Sequence, residues 1–145
     1  MKIAISQPRY LPAVNYIQRL FLSDVFVLLD DVQHSREFET RNKILTPQGP
    51  VWLTIPCRKK SQRSLISELV VDSDAWVTKH YKTIIHNYRK APYFDEAVLN
   101  SYLETYDRNF GQMVFNQLQY LMEYLGFSRK IVFSSRISCP SKGAR

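Results

Sequence analysis

The sequence is poor in glycine and cysteine, and these two shortages exclude several kinds of functional site. It holds only four glycines in 145 residues, so it has no glycine-rich loop of the kind that cradles phosphate in P-loop and dinucleotide-binding proteins. Its two cysteines, Cys57 and Cys139, stand far apart with no CxxC or Cys/His spacing, which argues against a disulfide framework or a zinc site. The HExxH and GxSxG motifs of metalloproteases and hydrolases are absent as well.

The sequence also lacks a long apolar run. A membrane span needs roughly 18 consecutive apolar residues, and the first apolar stretch, Ile3–Ile5, already stops at Gln7 and Pro8. For the same reason no secretory signal is visible. Hydrophobic residues make up 45% of the chain and aromatic residues 13%, which is enough to bury a core. We therefore expect a folded cytoplasmic protein without a membrane span.

Acidic residues are the scarcer charged class. The chain has 20 Lys and Arg against 13 Asp and Glu, a net charge of +7. Such a balance favours anionic partners, and we expect an anionic small molecule, either a nucleotide-sugar or a phosphorylated sugar. Nucleic acid is the weaker expectation, because no helix-turn-helix, zinc finger or RNA-recognition aromatic motif accompanies the charge. A net charge of this size also serves solubility alone.

The order of the predicted elements indicates an α/β fold. Residues 2–6 and 24–29 are short apolar runs typical of buried parallel strands, and the amphipathic stretch 13–22 between them completes a βαβ start. Residues 43–46 and 51–55 flank a Pro/Gly turn and predict a β-hairpin insertion.

The rest of the chain is mainly helical in pattern. An extra strand is predicted at 65–71 and a last strand at 130–134. Between them the apolar spacing predicts a C-terminal cluster of helices near 73–91, 95–106 and 110–125. Residues 1–134 are therefore expected to form a single α/β domain with a small parallel-type sheet core, and 135–145 an irregular tail.

Some single residues refine this expectation. Asp72 or Ser73 is placed to cap the helix that follows, and Gly126 to end the last helix in a left-handed conformation. One stripe of the first helix is predicted to face the core, and it consists of Val14, Ile17, Leu20 and Phe21.

Residues after the first two strands are the first candidates for chemistry, because ligands of open α/β sheets bind at the carboxyl ends of strands. Gln7 and Tyr10 lie in a proline-stiffened turn, which either cradles an anion against the first helix or only connects the two elements. Asp30 and Asp31 close the second strand, where paired carboxylates bind Mg²⁺, act as a general base or cap a turn. Mg²⁺ is the cofactor we consider.

Basic and amide side chains form a second set of candidates. Arg41 and Asn42 precede the predicted hairpin and suit the recognition of an oxyanion, although ordinary surface residues before a strand look the same. Lys59 and Lys60 belong to a basic loop that either grips a diphosphate or is simply solvated. His80 lies on the apolar face of its helix, where a hydrogen-bonded core imidazole is the commoner outcome.

Five segments, taken in their order and spacing, resemble the WbqC-like protein family. They are Gln7–Pro12, Asp24–Gln33, Arg41–Asn42, Trp52–Pro56, and His80 followed by Ala91–Phe94. The resemblance implies that several residues of these segments belong to the functional site. The implied catalytic residues are Asp30, Asp31 and His80, and Mg²⁺ on the two aspartates stays a hypothesis from their carboxylate chemistry. The implied substrate-binding residues are Gln7, Tyr10, Gln33, Arg41 and Asn42.

The resemblance also implies a biological setting, because family members are encoded among lipopolysaccharide and O-antigen genes. Our leading hypothesis is an enzyme of transferase type that acts on a phosphorylated or nucleotide-linked sugar. Two alternatives stay open: a non-catalytic binding or scaffolding component of a polysaccharide-assembly complex, and a nucleic-acid-binding protein that uses the basic loop 58–63. Family members continue with a further strand and helix, so 135–145 is expected to be an incomplete C-terminal part.

Overall fold

A computed structural model describes residues 1–35, 37–58, 61 and 63–137. Two short 3-10 turns lie at Ile66–Glu68 and Ser134–Arg136. In chain order the helices and strands of the described residues are β1 (Ile3–Ser6), α1 (Val14–Leu22), β2 (Val25–Leu28), β3 (Arg41–Thr46), β4 (Gly49–Thr54), β5 (Cys57–Arg58), β6 (Val70–Val71), α2 (Ala75–Tyr88), α3 (Glu96–Glu104), α4 (Phe110–Tyr124) and β7 (Lys130–Phe133).

The central sheet has three strands, and all of them are parallel. β2 lies in the middle, with β1 on one side and β7 on the other. The register pairs Ser6 with Leu28 and Leu28 with Phe133, so the three strands end level with one another. The α/β prediction is confirmed: a βαβ start, a β-hairpin and a helical C-terminal half are all present. The carboxyl ends of the strands therefore meet at one edge of the sheet.

The hydrophobic core lies between one face of this sheet and the helices. Phe26 and Leu28 of β2 are fully buried on that face. Phe115 of α4 meets the ring of Phe133 at the end of β7, with ring centres 5.7 Å apart. Burying such a side chain stabilises the fold by about 1.5–3 kcal/mol. α4 contributes the longest buried stripe, formed by Phe110, Met113, Val114, Leu118 and Met122.

The predicted core-facing stripe of α1 is wrong in part. Leu20 is buried, but Val14 is 74% exposed and Phe21 49%. The helix instead turns Tyr16 toward the core, where its ring meets Phe26 at 5.3 Å. A buried tyrosine needs a partner for its hydroxyl. The carbonyl oxygen of Gln7, the residue directly after β1, accepts a hydrogen bond from the Tyr16 hydroxyl at 3.0 Å. This partner is invisible to a pattern of apolar spacing.

The β-hairpin is confirmed, and it begins earlier than predicted. β3 starts at Arg41, so Arg41 and Asn42 lie within a strand, paired with Thr54 and Leu53 of β4. Their polar side chains concealed this, because the sequence pattern of a buried strand starts only at Lys43. The pairing with β4 extends the strand regardless of side-chain type. The prediction that these two residues precede the hairpin is thus wrong.

The strand predicted at 65–71 is mostly absent. Only β6, at its end, forms a strand, and it pairs with β5. The first part is the 3-10 turn at Ile66–Glu68. Here the Ile66 N–H donates to the Val32 carbonyl at 3.0 Å, and the Ser67 N–H donates to the Asp30 carbonyl at 2.8 Å. These bonds to the segment after β2 replace the ladder that a longer strand would need.

The three C-terminal helices are confirmed close to their predicted positions. The predicted cap of α2 is wrong: the helix follows Asp74, and Asp72 pairs with Arg58 instead. Gly126 has φ 72°, as expected for a left-handed residue after α4, and the Phe127 N–H closes the cap on the Met122 carbonyl at 3.0 Å. Among the described residues no helix combines the length and apolarity that crossing a membrane requires.

The left-handed end of α4 gives a first test. We expect Gly126→Ala to lower the free energy of unfolding by about 1–2 kcal/mol, because a Cβ is unfavourable at this positive φ, although no atom lies within 4 Å of it. Gly126→Asn is the matched control and should cost less, since Asn tolerates the conformation better. Urea denaturation measures both. Equal stability of the alanine variant and the wild type would contradict the assigned cap.

Candidate functional site

The turn Gln7–Pro12, which follows β1, is built around one unusual residue. Leu11 has φ 45°, a left-handed conformation that is costly for a branched side chain, of order 1–3 kcal/mol. Its N–H donates to the Tyr102 hydroxyl at 3.2 Å, and its carbonyl accepts from the Asn42 side-chain amide at 2.6 Å. Residues of α3 and β3 thus hold the turn from both sides, and Asn42 acts on the turn rather than on solvent.

The neighbouring residue Tyr10 anchors the same turn in the core. Its side chain is fully buried, and its hydroxyl lies 2.8 Å from His80 Nδ1. Its backbone N–H donates to the Glu39 carbonyl at 2.9 Å. The ring of Trp76 meets the ring of Tyr10 edge-on at 5.6 Å. Tyr10 therefore joins the turn to α2 and to the loop before β3.

His80 is a buried, neutral side chain. It is 2% exposed, and burial is the main cause that lowers its pKa to about 4, against a smaller raising effect of a hydrogen bond to the Thr54 backbone. Because Thr54 offers a carbonyl, we assign the proton to the nitrogen facing it, which leaves Nδ1 to accept from the Tyr10 hydroxyl. This arrangement favours a structural role for both residues. The sequence-based hypothesis of a catalytic His80 stays a prediction.

The two aspartates after β2 lie beside the end of β7, as the level strand ends require. Asp30 is buried, and its Oδ1 accepts from Ser134 Oγ at 3.1 Å and from the Ser135 N–H at 3.0 Å. Its Oδ2 accepts from Ser135 Oγ at 2.7 Å. Ser134 Oγ also contacts Asp31 Oδ1. We call Asp30, Asp31, Ser134 and Ser135 the carboxylate cluster.

The two carboxylates of this cluster differ in what they can still bind. Asp30 accepts from the Ser135 N–H and the Ser135 hydroxyl and shares the single Ser134 hydroxyl proton with Asp31, and its side chain is buried. Asp31 is exposed, and within the described residues only Oδ1 accepts a hydrogen bond. Mg²⁺ prefers one or two carboxylates together with phosphate oxygens and water. The exposed carboxylate of Asp31 is therefore suited to bind Mg²⁺, while the buried carboxylate of Asp30 orients Ser134 and Ser135.

Arg41, another predicted site residue, makes its contacts with residues outside the carboxylate cluster. Its Nε donates to the Glu37 carbonyl at 2.9 Å, and its guanidinium carbon lies 4.2 Å from the centre of the Trp52 ring. Lys43 Nζ lies 4.7 Å from the same ring. The Phe38 ring is 5.6 Å from Trp52, and the Arg9 guanidinium is 5.9 Å from Phe38. We call Arg9, Phe38, Arg41, Lys43 and Trp52 the aromatic–cation surface.

A short loop between β2 and β3 supports this surface. Glu39 is buried in it, and its carboxylate accepts from the Ser35 hydroxyl at 2.6 Å and from the Glu37 N–H at 3.2 Å. Burial alone raises the pKa of Glu39, but the hydrogen bond from the Ser35 hydroxyl, the backbone N–H groups of Glu39 and Ser35, and the nearby His34 outweigh it and lower the pKa. An ionised Glu39 thus fixes the loop from within. The loop presents Phe38 outward, 40% exposed.

The structure brings some of the predicted residues together and separates others. Arg9, next to Tyr10, and Arg41 share the aromatic–cation surface, whereas Asp30 and Asp31 bond to the end of β7. Gln33 is exposed and pairs with Leu65 in an isolated bridge. Gln7 is half-buried, and its carbonyl is held by α1. Lys59 and Lys60 lie outside the described residues.

Sequence reasoning missed four residues of these groups: Phe38, Trp52, Ser134 and Ser135. The two serines directly follow a buried strand, and the rule for parallel strand ends applies to them as it does to the aspartates. Leu53 of β4 is buried, and successive strand residues point to opposite faces, so the neighbouring Trp52 lies on the solvent-facing side of the hairpin. For Phe38 the sequence offers no such signal.

Comparison with known proteins identifies relatives of the chain. The WbqC-like protein family matches residues 7–144. An uncharacterized protein of Mycobacterium tuberculosis (strain ATCC 25618 / H37Rv), Rv1507c, is 31% identical over 138 residues, which is 92% of this chain. The chain spans 60% of the length of that relative. No solved structure matches.

The anchoring of the turn can be tested through Tyr102. We expect Tyr102→Phe to lower the free energy of unfolding by about 1–3 kcal/mol, because the Leu11 N–H and the Gln117 side-chain oxygen both lose their partner. Tyr93→Phe, at a side chain that is 99% exposed, is the matched control and should change little. Equilibrium denaturation compares the two. Equal losses, or none in Tyr102→Phe, would refute this anchoring.

The buried neutral His80 predicts a pH effect. Its pKa is about 4 in the folded protein, against 6.5 in the unfolded chain, so between these values the unfolded state binds more protons. The free energy of unfolding should therefore decrease as the pH falls from 6.5 to 4. In His80→Gln the free energy of unfolding should depend less on pH, and the difference in slope from the wild type should be up to about 1.4 kcal/mol per pH unit.

The pH effect is measured by urea denaturation in steps between pH 4 and 7. His86→Gln provides the control, because His86 is exposed and on the same helix. The free energy of unfolding of this variant should change with pH as that of the wild type does. Parallel slopes for the wild type and His80→Gln would rule out a neutral buried imidazole.

Proposed function

The chain belongs to the WbqC-like protein family, and on that premise we propose that it is an enzyme. The proposed activity is of transferase type, on a phosphorylated or nucleotide-linked sugar in bacterial lipopolysaccharide or O-antigen biosynthesis. The polysaccharide setting is supported by the family resemblance, and the chemistry by the arrangement of polar residues at the carboxyl ends of the strands. The cytoplasm remains the proposed compartment.

The observation that carries the proposal is the exposed carboxylate of Asp31 beside β7. It follows a parallel strand at the edge where ligands of open α/β sheets bind. Asp30 holds Ser135 through two hydrogen bonds and donates its backbone N–H to Ser134 Oγ, and the Ser134 hydroxyl lies between the carboxylates of Asp30 and Asp31. Asp31 is thereby held in place without being buried. A preoriented carboxylate is suited to accept the proton of an attacking hydroxyl group.

The cations proposed for the phosphate groups lie in the turn after β1 and on β3. Arg9 follows β1, and Arg41 is fixed by its bond to the Glu37 carbonyl. Neighbouring strands lie about 4.8 Å apart, so the ends of β1 and β7 are separated by about 10 Å. We propose that one extended nucleotide-sugar spans from the turn after β1, which carries Arg9, to Asp31 beside β7. We therefore assign its phosphate groups to the arginine side and its reacting sugar to Asp31.

The proposed division of work follows from these positions. Arg9 and Arg41 neutralise the charge that the departing phosphate group acquires, and the first N–H groups of α1 face no capping side chain on Ala13 and supply further donors. Asp31 receives the proton of the acceptor oxygen as the new bond forms and the bond to the leaving phosphate breaks. In an alternative role Asp31 would hold Mg²⁺ instead of taking the proton, and the ion would then neutralise the phosphate oxygens.

The test is ligand binding to matched variants. We expect UDP-glucose with Mg²⁺ to raise the melting temperature of the wild type. Asp31→Asn and Arg41→Ala should stay folded and lose this shift, because each removes a ligand contact, and each shift is measured from the melting temperature of the same variant without ligand. Asp74→Asn and Arg89→Ala, at exposed residues of α2 and its end, are the controls and should keep the shift.

Sugar phosphates and other nucleotide-sugars extend the same panel. Unchanged binding in both site variants would dispose of the proposed chemistry. No shift with any ligand, together with a retained protein partner, would favour the scaffolding alternative. Binding of duplex DNA with a steep salt dependence, a slope of about −0.9 per neutralised phosphate, would favour nucleic-acid binding.

A further inference from the structure

The aromatic–cation surface has a composition that the proposed reaction does not explain. Trp52 is 38% exposed and Phe38 40%, although either ring would stabilise the fold more if it were buried. The other tryptophan, Trp76, is 4% exposed. Two exposed rings in contact, bordered by cations, are typical of a surface that binds a flat ring of a ligand.

The hairpin register fixes this surface. Lys43 of β3 lies directly opposite Trp52 of β4, and Arg41 lies two residues along on the same face. The two side chains contact the Trp52 ring, at 4.7 Å and 4.2 Å from its centre. Leu53, the next residue of β4, points the other way and is buried. The backbone pairing thus holds a tryptophan and two cations together before any ligand arrives.

The three cations of the surface are available to an anion. Ion pairs between described residues join Met1 with Asp24 and Arg58 with Asp72, and the His34 ring lies 3.8 Å from the Glu39 carboxylate. None of these pairs uses Arg9, Arg41 or Lys43. The positive charge at the rings is therefore not neutralised by a neighbouring carboxylate within the described part of the chain.

The ring spacing limits how a ligand can bind. Stacked carbon atoms lie about 3.5–4.0 Å apart, so a base held between two rings needs about 7 Å, whereas the centres of Phe38 and Trp52 are 5.6 Å apart and tilted by 46°. A flat ring must therefore lie on the outer side of one of them. Arg41 and Lys43 lie over the Trp52 ring and Arg9 lies over the Phe38 ring, so the flat ring must take a ring face that these cations leave open. Its attached phosphate groups then reach the cations of that ring.

From these contacts we infer that the aromatic–cation surface binds the nucleotide part of the ligand. The base stacks on Trp52 or Phe38, and the diphosphate pairs with Arg9, Arg41 and Lys43. This inference rests on the proposed function and narrows it, because it selects a nucleoside diphosphate-sugar over a simple sugar phosphate. The sugar then extends toward Asp31, on the side of β7.

The two tryptophans make the inference measurable. Trp52 is the exposed one, so a base that stacks on it should quench its fluorescence while the buried Trp76 contributes a constant background. The probes are the diphosphates of uridine, guanosine, adenosine and cytidine, with inorganic diphosphate, glucose 1-phosphate and a single-stranded oligothymidine for comparison. We expect at least one nucleoside diphosphate to quench the emission and to bind more tightly than inorganic diphosphate.

Matched variants then separate stacking from charge. Trp52→Ala should weaken binding of that nucleotide about 5- to 150-fold, while Trp52→Phe retains most of the affinity because a ring remains. Phe38→Ala is the second variant that tests stacking. Tyr93→Ala, which removes a fully solvated ring, is the control and should bind as the wild type does. Affinities come from calorimetry, so that loss of the fluorophore does not remove the signal. Circular dichroism confirms that the variants are folded.

The possible outcomes show whether the nucleotide-binding inference fails alone or together with the proposed function. Nucleotide-sugar binding that depends on Asp31 and Arg41 but is unchanged in Trp52→Ala and Phe38→Ala overturns the inference alone. Binding of glucose 1-phosphate without binding of any nucleotide does the same. Tighter binding of the oligonucleotide than of every mononucleotide overturns it in favour of nucleic acid. No binding of any probe overturns the proposed function together with the inference.

Discussion

The site depends on the left-handed residue Leu11 and the two hydrogen bonds that hold it. The Tyr102 hydroxyl binds its N–H, and the Asn42 amide binds its carbonyl, so α3 and β3 both act on the turn after β1. Without these bonds the strained backbone would relax. The turn places Arg9 outside and Tyr10 inside, and Tyr10 in turn reaches His80 on α2. The central sheet, the hairpin and the helical half are thereby connected at one point.

The pairing of the strands and the turn after β1 together position the polar groups of the candidate site. The level ends of β2 and β7 bring the aspartates to Ser134 and Ser135. The turn after β1 brings Arg9 to Phe38, and the hairpin brings Arg41 to Trp52. Each group is preorganised by backbone pairing or by hydrogen bonds within the protein. Preorganised polar groups lose little entropy on binding and stabilise developing charge efficiently.

The sequence was sufficient for the α/β architecture and for locating Asp30 and Asp31 at the end of a strand. Apolar runs and helical spacing predicted the βαβ start, the hairpin and the three later helices, because those patterns reflect burial directly. The rule that ligands bind at carboxyl ends of strands pointed to Asp30 and Asp31. It did not reveal Ser134, because the pairing of β2 with β7 joins positions 104 residues apart. Likewise, nothing local shows that Tyr10 finds its partner in His80, 70 residues away, or that Phe38 packs on Trp52.

The central claim is that one ligand uses both the carboxylate cluster and the aromatic–cation surface. A crystal structure of the protein with UDP-glucose and Mg²⁺ tests it most directly. We expect the base against Trp52 or Phe38, the diphosphate between Arg9 and Arg41, and the glucose within hydrogen-bonding distance of Asp31. An ordered ligand that leaves either group untouched, or lies elsewhere on the molecule, would contradict the claim.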